Sequence, residues 1–163
     1  MRKIGLLGGI FDPVHLGHLH IADGVRRRLD LDLVYMIPAG DPPHKSESPF
    51  ADAEHRFRML QIAIGDNPCF QIMDIELKRE GKSYTADTLA ELRADFPEWK
   101  LYFIVGGDNL TEIQEWKTPE RIFELAEVVL VNRPNMKRPA DGVKLPGEFI
   151  EITVRDNGCG MAA

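Results

Sequence analysis

The sequence predicts an α/β fold, with a parallel sheet of about five or six strands and helices on both faces. Three observations carry this. Short apolar runs alternate along the chain with segments of helical periodicity. Most of those runs lack the polar alternation of a half-exposed strand, as expected of strands covered on both sides. The 163 residues suit one domain and can bury roughly 69% of their surface without a disulfide or metal.

Taken in order, Ile4 to Leu7 is a short apolar run ending at Gly8-Gly9, a buried strand. His15 to Leu29 places Leu16, Leu19, Ile21, Ala22, Val25 and Leu29 near helical spacing, with Pro13 close to its start. Leu33 to Ile37 is a second strand, stopped by Pro38, so the first forty residues form a βαβ unit with a right-handed crossover. Asp41 to Lys45 is a proline-stiffened loop. Asp52 to Ile64 is a helix with Phe57, Leu60, Ala63 and Ile64 on one face, and Phe70 to Ile75 is a strand. Tyr84 or Thr85 opens a helix through Leu92. Leu101 to Val105 is a strand ended by Gly106-Gly107, Pro119 to Leu125 a short helix, and Val128 to Val131 a strand. Phe149 to Val154 reads as a last strand. The expected domain is residues 1–155, with 156–163 a frayed tail.

Hydrophobic residues make up 44% and charged residues 28%, which excludes a disordered chain, a collagen or a disulfide scaffold. The net charge of −6 argues against nucleic acid or an anionic membrane as partner. Residues 1–50 carry six basic and six acidic side chains, so the excess acid lies later and an anionic substrate is better hosted by the N-terminal part. Cys69 and Cys159 form no CxxC pair and read as idle thiols of a reducing compartment. With no apolar run near ~18 residues and no signal-peptide cleavage site, the expected localisation is cytoplasmic. Arg26-Arg27-Arg28 reads as a solvated helix face.

The most informative segment runs from Gly8 through Gly9, Ile10, Phe11, Asp12, Pro13, Val14, His15, Leu16 and Gly17 to His18. Two glycines at a strand end let a ligand approach the backbone. The next helix turns its N-terminus, with free N–H groups and the positive dipole end, toward the same place. His15 and His18 lie about 60° apart around a helix and can face one phosphate, with Gly17 leaving room between them. Such a pair can also cap the helix or ligate a metal. A metal needs a third ligand, however, and His20 points to another face, so phosphate is the favoured partner. A dehydrogenase is disfavoured, since Gly5-Leu6-Leu7-Gly8-Gly9 is not G-x-G-x-x-G and no acidic residue ends the second strand.

This stretch resembles the G-G-x-F-D-P-x-H-x-G-H signature of the nucleotidylyltransferase superfamily. The resemblance implies a Rossmann-like fold and transfer of a nucleoside monophosphate from a nucleoside triphosphate to a phosphate-bearing acceptor. Three later segments look like the bacterial nicotinate mononucleotide adenylyltransferases. They are Pro42-Pro43-His44-Lys45, Ser83-Tyr84-Thr85-Ala86-Asp87-Thr88-Leu89, and Phe103 to Leu110 followed by Trp116, with Arg133-Pro134 fitting as well. The implied partners are ATP and nicotinate mononucleotide, with Mg²⁺ bound mainly through ATP phosphates and no dedicated metal ligands. The implied catalytic residues are His15 and His18. Gly8, Gly9, Ile10, Phe11, Gly106 and Asp108 would bind ATP, and Lys45, Tyr84, Thr85, Trp116 and Arg133 the acceptor.

Several of these have a bland alternative. Lys45 meets the acceptor phosphate or is a surface lysine. Thr85 heads a helix that holds a carboxylate, or is a plain N-cap. Trp116 stacks on a pyridine ring or belongs to the core. Asp108 accepts from ribose or adenine, or caps a helix beginning near Asn109. Past the last strand the resemblance implies an Ile-Ser-x-Thr-x-x-Arg motif opening a further helix that contacts ATP phosphates. Here Ile152-Thr153-Val154-Arg155 leads into Asp156-Asn157-Gly158-Cys159-Gly160 without Ser-x-Thr. The expectation is a chain shortened or altered near residue 152, with weaker ATP binding and bare apolar sheet surface that a homo-oligomer would cover. Two alternatives stand beside the leading reading: a sister transferase acting on nicotinamide mononucleotide or phosphopantetheine, and an inactive nucleotide-binding module.

Overall fold

A computed structural model describes residues 1–40, 51–113, 115–134 and 144–155. The strands are β1 (Arg2–Gly9), β2 (Leu33–Pro38), β3 (Phe70–Ile72), β4 (Trp99–Gly106), β5 (Glu127–Asn132) and β6 (Phe149–Thr153). The helices are α1 (Leu16–Leu29), α2 (Ala53–Ile64), α3 (Ile75–Lys78), α4 (Thr85–Asp95), α5 (Leu110–Ile113) and α6 (Pro119–Leu125), with a 3-10 turn at Gly107–Asn109 before α5. All pairings are parallel and the strand order is β3-β2-β1-β4-β5-β6, the doubly wound arrangement expected of a Rossmann-like sheet.

Period-two alternation sorts the strand side chains onto two apolar layers. Ile4, Leu6, Leu101, Phe103, Val128 and Leu130 pack with Leu89 and Leu92 of α4 and Ile122 of α6 on one face. Leu7, Val34, Met36, Tyr102, Ile104, Val129 and Val131 pack with Leu19, Ala22 and Val25 of α1 and Leu60 of α2 on the other. Gly5 lies where a β-carbon would stand 2.9 Å from the Leu31 side chain, so this layer has no room for a larger residue.

Four element expectations are corrected. The third strand stops at Ile72, because Asp74 turns the chain into α3 at Ile75. Within α2 the buried side chains are Arg56 and Leu60, whereas Ala63 is exposed, so the buried face is rotated toward a charged residue. The helix opened by Tyr84 and Thr85 continues past Leu92 to Asp95. Pro13 stands outside α1, which begins at Leu16 with His15 as its N-cap.

A side-chain network ties α3 to α4. Thr88 Oγ1 donates to Glu76 at 3.0 Å, and Arg79 donates to Thr88 at 3.0 Å and to Glu91 at 2.8 Å. Burial raises the Glu76 carboxyl, against the lowering effects of the Thr88 bond and Arg79. After β6, Val154 packs into a notch at Gly24 of α1, where a β-carbon would meet it at 3.0 Å, and the Arg155 carbonyl accepts from His20 Nε2. The large exposed apolar side chains are Met1, Leu16 and Ile62, none of them in a strand. The bare apolar sheet surface expected is therefore not found among the described residues. The predicted fray at 156–163 lies outside them. No described helix is long and apolar enough to cross a membrane.

Candidate active site

The strand order reverses between β1 and β4, so their carboxyl ends, Gly8-Gly9 and Gly106-Gly107, open a crevice at the topological switch point. A β-carbon on Gly106 would meet nothing within 4 Å, and one on Gly8 only the Ile37 carbonyl at 3.9 Å, so both backbones lie open to close approach. Helices α1 and α4 each run back along the sheet to the following parallel strand. Both therefore start at this carboxyl edge, on opposite faces.

The head of α1 carries both histidines. Their rings stack with centroids 3.8 Å apart, and Phe11 meets His18 edge-on at 4.9 Å. Gly17 is required for a reason more direct than space for a ligand: a β-carbon there would stand 2.8 Å from the His15 ring. Gly17→Ala is expected to push His15 off its partner and lower kcat about tenfold or more with little change in melting temperature. A kinetic and melting comparison with the unaltered protein checks this.

The His15 backbone N–H donates to His18 Nδ1 at 3.1 Å. A backbone N–H is always a donor, so Nδ1 is the acceptor and the proton of the neutral ring sits on Nε2. Burial, followed by repulsion from His15 and Arg133, holds the His18 imidazole at about 4 rather than 6.5. At neutral pH His18 is thus an uncharged Nε2–H donor. Between pH about 4 and 6.5 the unfolded chain takes up a proton there that the folded one refuses. This contribution to stability is complete above 6.5 and declines as pH falls toward 4. The melting temperature of a His18→Gln variant is expected to fall less over that window than that of the unaltered protein, by thermal denaturation at each pH.

Among the described helices only α1 has no acidic residue in its first turn. The others carry Glu54, Glu76, Asp87, Glu112 and Glu120 there. The positive dipole end of α1 is left for an anion, and the Leu16 and Gly17 N–H groups head the helix without intrahelical acceptors. Arg133, just past β5, is exposed, and its charge reaches His18.

Phe11 has φ 54, in the left-handed region that bulky residues avoid, and its ring is buried over Gly9. That strain is held by Arg56, which periodicity did not single out. Arg56 is 2% exposed, and its guanidinium donates to the carbonyls of Ile10 at 3.0 Å, Ala39 at 2.7 Å and Ala51 at 3.2 Å. Asp12 completes the arrangement by accepting from the Ala51 N–H at 3.1 Å. One buried cation thus fixes the motif loop, the end of β2 and the entry to α2. The carboxylate of the signature was the visible clue, since Asp12 is half-buried and its charge acts on Arg56.

Of the other expected residues, Tyr84 is the N-cap of α4, Thr85 is its first residue, and both are half-buried. Trp116 is half-buried and packs edge-on against Phe103, with centroids 6.0 Å apart. Lys117 joins its loop to α4, lying 4.6 Å over the Tyr84 ring and 3.5 Å from Asp87. Asp108 lies in the 3-10 turn Gly107–Asn109, and the bonding expected of its side chain falls outside what is described. Lys45 lies outside the described residues. No group of three or more His, Cys, Asp or Glu that could hold a metal is found among the described residues.

The cytidylyltransferase-like family model matches residues 6–158. The chain is 45% identical over 158 residues to a "probable nicotinate-nucleotide adenylyltransferase" of Oceanobacillus iheyensis, covering 94% of this chain and 82% of that one. It is 42% identical over 162 residues to a protein of the same description from Geotalea daltonii, covering 99% and 72%. Among solved structures, the Plasmodium falciparum nicotinic acid mononucleotide adenylyltransferase complexed with NaAD superposes with a TM-score of 0.78. The match has 19% identity and covers 94% of this chain and 76% of that one, a likeness of fold.

Proposed function

Because the chain belongs to the cytidylyltransferase-like family, among the bacterial nicotinate-nucleotide adenylyltransferases, we propose that it transfers the adenylyl group of ATP to nicotinate mononucleotide. The products are nicotinate adenine dinucleotide and pyrophosphate. An oxygen of the acceptor phosphate attacks the α-phosphorus in line, the bond to the bridging oxygen breaks, and pyrophosphate leaves with the electron pair. The observation that carries this reading is the head of α1: a neutral His18 with Nε2–H as donor, stacked on His15, beside an uncompensated helix dipole.

The acceptor phosphate is anionic at neutral pH, so the step needs no strong base. What it needs is alignment and stabilisation of the charge that builds on the equatorial oxygens. His18 Nε2–H and the Leu16 and Gly17 N–H groups are suited to donate to those oxygens. Arg133, whose charge reaches His18, is suited to add positive charge there, and Lys45 is the further cation that the resemblance implies for the acceptor phosphate. A neutral His18 also suits a positioning role, since it gives up no proton during the step. Mg²⁺ would be held mainly by the ATP phosphates rather than by side chains of this chain, and would supply charge neutralisation of the triphosphate. The α4 head, with Tyr84 and Thr85, and the half-buried Trp116 ring suit a flat acceptor bearing a carboxylate.

Pyrophosphate release from Mg·ATP tests the reading against three acceptors. Fast release with nicotinate mononucleotide and slow release with nicotinamide mononucleotide and phosphopantetheine is expected. Equal or greater release with phosphopantetheine would assign the chain to a sister activity.

A further inference from the structure

The loop between α5 and α6 places a lysine against the one helix head on which the acceptor reading depends. Helix α4 opens at Thr85, and its N-cap, Tyr84, makes no side-chain capping bond. The N–H groups of Asp87 and Thr88 are satisfied by the Tyr84 carbonyl at 3.1 Å each, which leaves those of Thr85 and Ala86 at the head. Ser83, just before them, is 6% exposed, and its Oγ has no hydrogen-bond partner among the described residues. A buried hydroxyl in that state is rare.

Against this, Asp87 puts a carboxylate in the first turn. Such an acid stabilises the helix, yet it competes with any anionic ligand for the same dipole end. Lys117 Nζ lies 3.5 Å from Asp87 Oδ2 and 4.6 Å from the centre of the Tyr84 ring. Both members of the ion pair are about half exposed, so the pair adds little to folding stability. Its effect is on the local field. It offsets the Asp87 charge, and its place over the aromatic face restrains the Tyr84 ring at the helix head.

We infer that Lys117 determines specificity in the acceptor site, favouring a ring that bears a carboxylate over the same ring bearing a neutral amide. The inference rests on the proposed reaction and adds to it the residue that separates the two pyridine acceptors. Lys117 acts through Asp87 and Tyr84 and does not touch the reacting phosphates.

The test is steady-state kinetics with nicotinate mononucleotide and nicotinamide mononucleotide at saturating Mg·ATP. Lys117→Ala is expected to lower kcat/KM for the nicotinate acceptor about tenfold, carried by KM, and to change it less than about twofold for the nicotinamide acceptor. Lys117→Arg is expected to keep most of the discrimination, since the charge remains. Adding Asp87→Asn to Lys117→Ala is expected to restore affinity for the nicotinate acceptor, because the repelling charge is then gone. A purely structural role for Lys117 would lower both acceptors alike and would not be rescued by Asp87→Asn, and either result overturns the inference. An unaltered protein that uses neither acceptor overturns the proposed reaction itself, whereas an unchanged acceptor ratio in Lys117→Ala overturns only the role of Lys117.

Discussion

Replacing His18 with alanine is expected to lower kcat by about two to three orders of magnitude, the usual cost of removing one preorganised donor from a developing oxyanion. The melting temperature should move little, because the ring is half-buried and its Nδ1 only accepts from the exposed His15 backbone N–H. His18→Gln discriminates further. Its longer amide can offer an N–H near the Nε2 position, so it should recover part of the lost rate, as His18→Ala cannot. Because His18 is held near 4 in the free protein and is neutral at pH 7, kcat/KM should show no ionisation of this ring from pH about 6.5 to 8. A rate that follows protonation of this ring across that range would show it acting as a cation, contrary to the tautomer set by the His15 N–H. These outcomes are read from single-turnover rates alongside thermal melts.

The second large effect falls on Arg56. Substitution by methionine keeps the apolar stem and leaves the part-buried carbonyls of Ile10, Ala39 and Ala51 without this donor. Orphaned acceptors of this kind cost about 1–3 kcal/mol each, partly relieved by relaxation or water, so a net loss of about 3 kcal/mol is reasonable. In a chain of this size that lowers the melting temperature by roughly 6–12 °C. Activity should fall as well, since Phe11 keeps its φ of 54 only while Ile10 is held. Arg56→Lys is expected to recover only part of either loss, because one ammonium cannot reproduce the planar fork that spans three carbonyls. Melting curves and kcat of both variants check this, and a fully stable Arg56→Met protein would contradict it.

The two layers were legible because burial leaves a periodic trace. Ile4 and Leu6 face one layer and Leu7 the other, and runs such as Val128 to Val131 are apolar on both sides. The motif was legible because glycines, a proline and two histidines crowd into eleven residues. What escaped was cooperation across the chain. Arg56 reads as a surface residue within its helix, since its partner at Ile10 is 46 positions away and is a carbonyl that every residue carries. Ile75 continues an apolar run, and only the turn at Asp74 shows that the strand has already ended. Gly17 was noticed for the right neighbourhood but the wrong neighbour, because the stacking of His15 on His18 is set by the N-cap geometry. Lys117 lies 30 positions from Asp87, and no local pattern links them.

The central claim is that AMP passes from ATP to nicotinate mononucleotide at the head of α1. It is tested most directly with ATP labelled at the α-phosphorus, incubated with Mg²⁺, nicotinate mononucleotide and the protein. The label is expected to move into nicotinate adenine dinucleotide in step with pyrophosphate release, and to stop moving in the His18→Ala variant. Label that stays in ATP, or that leaves as AMP without the dinucleotide forming, would contradict the account.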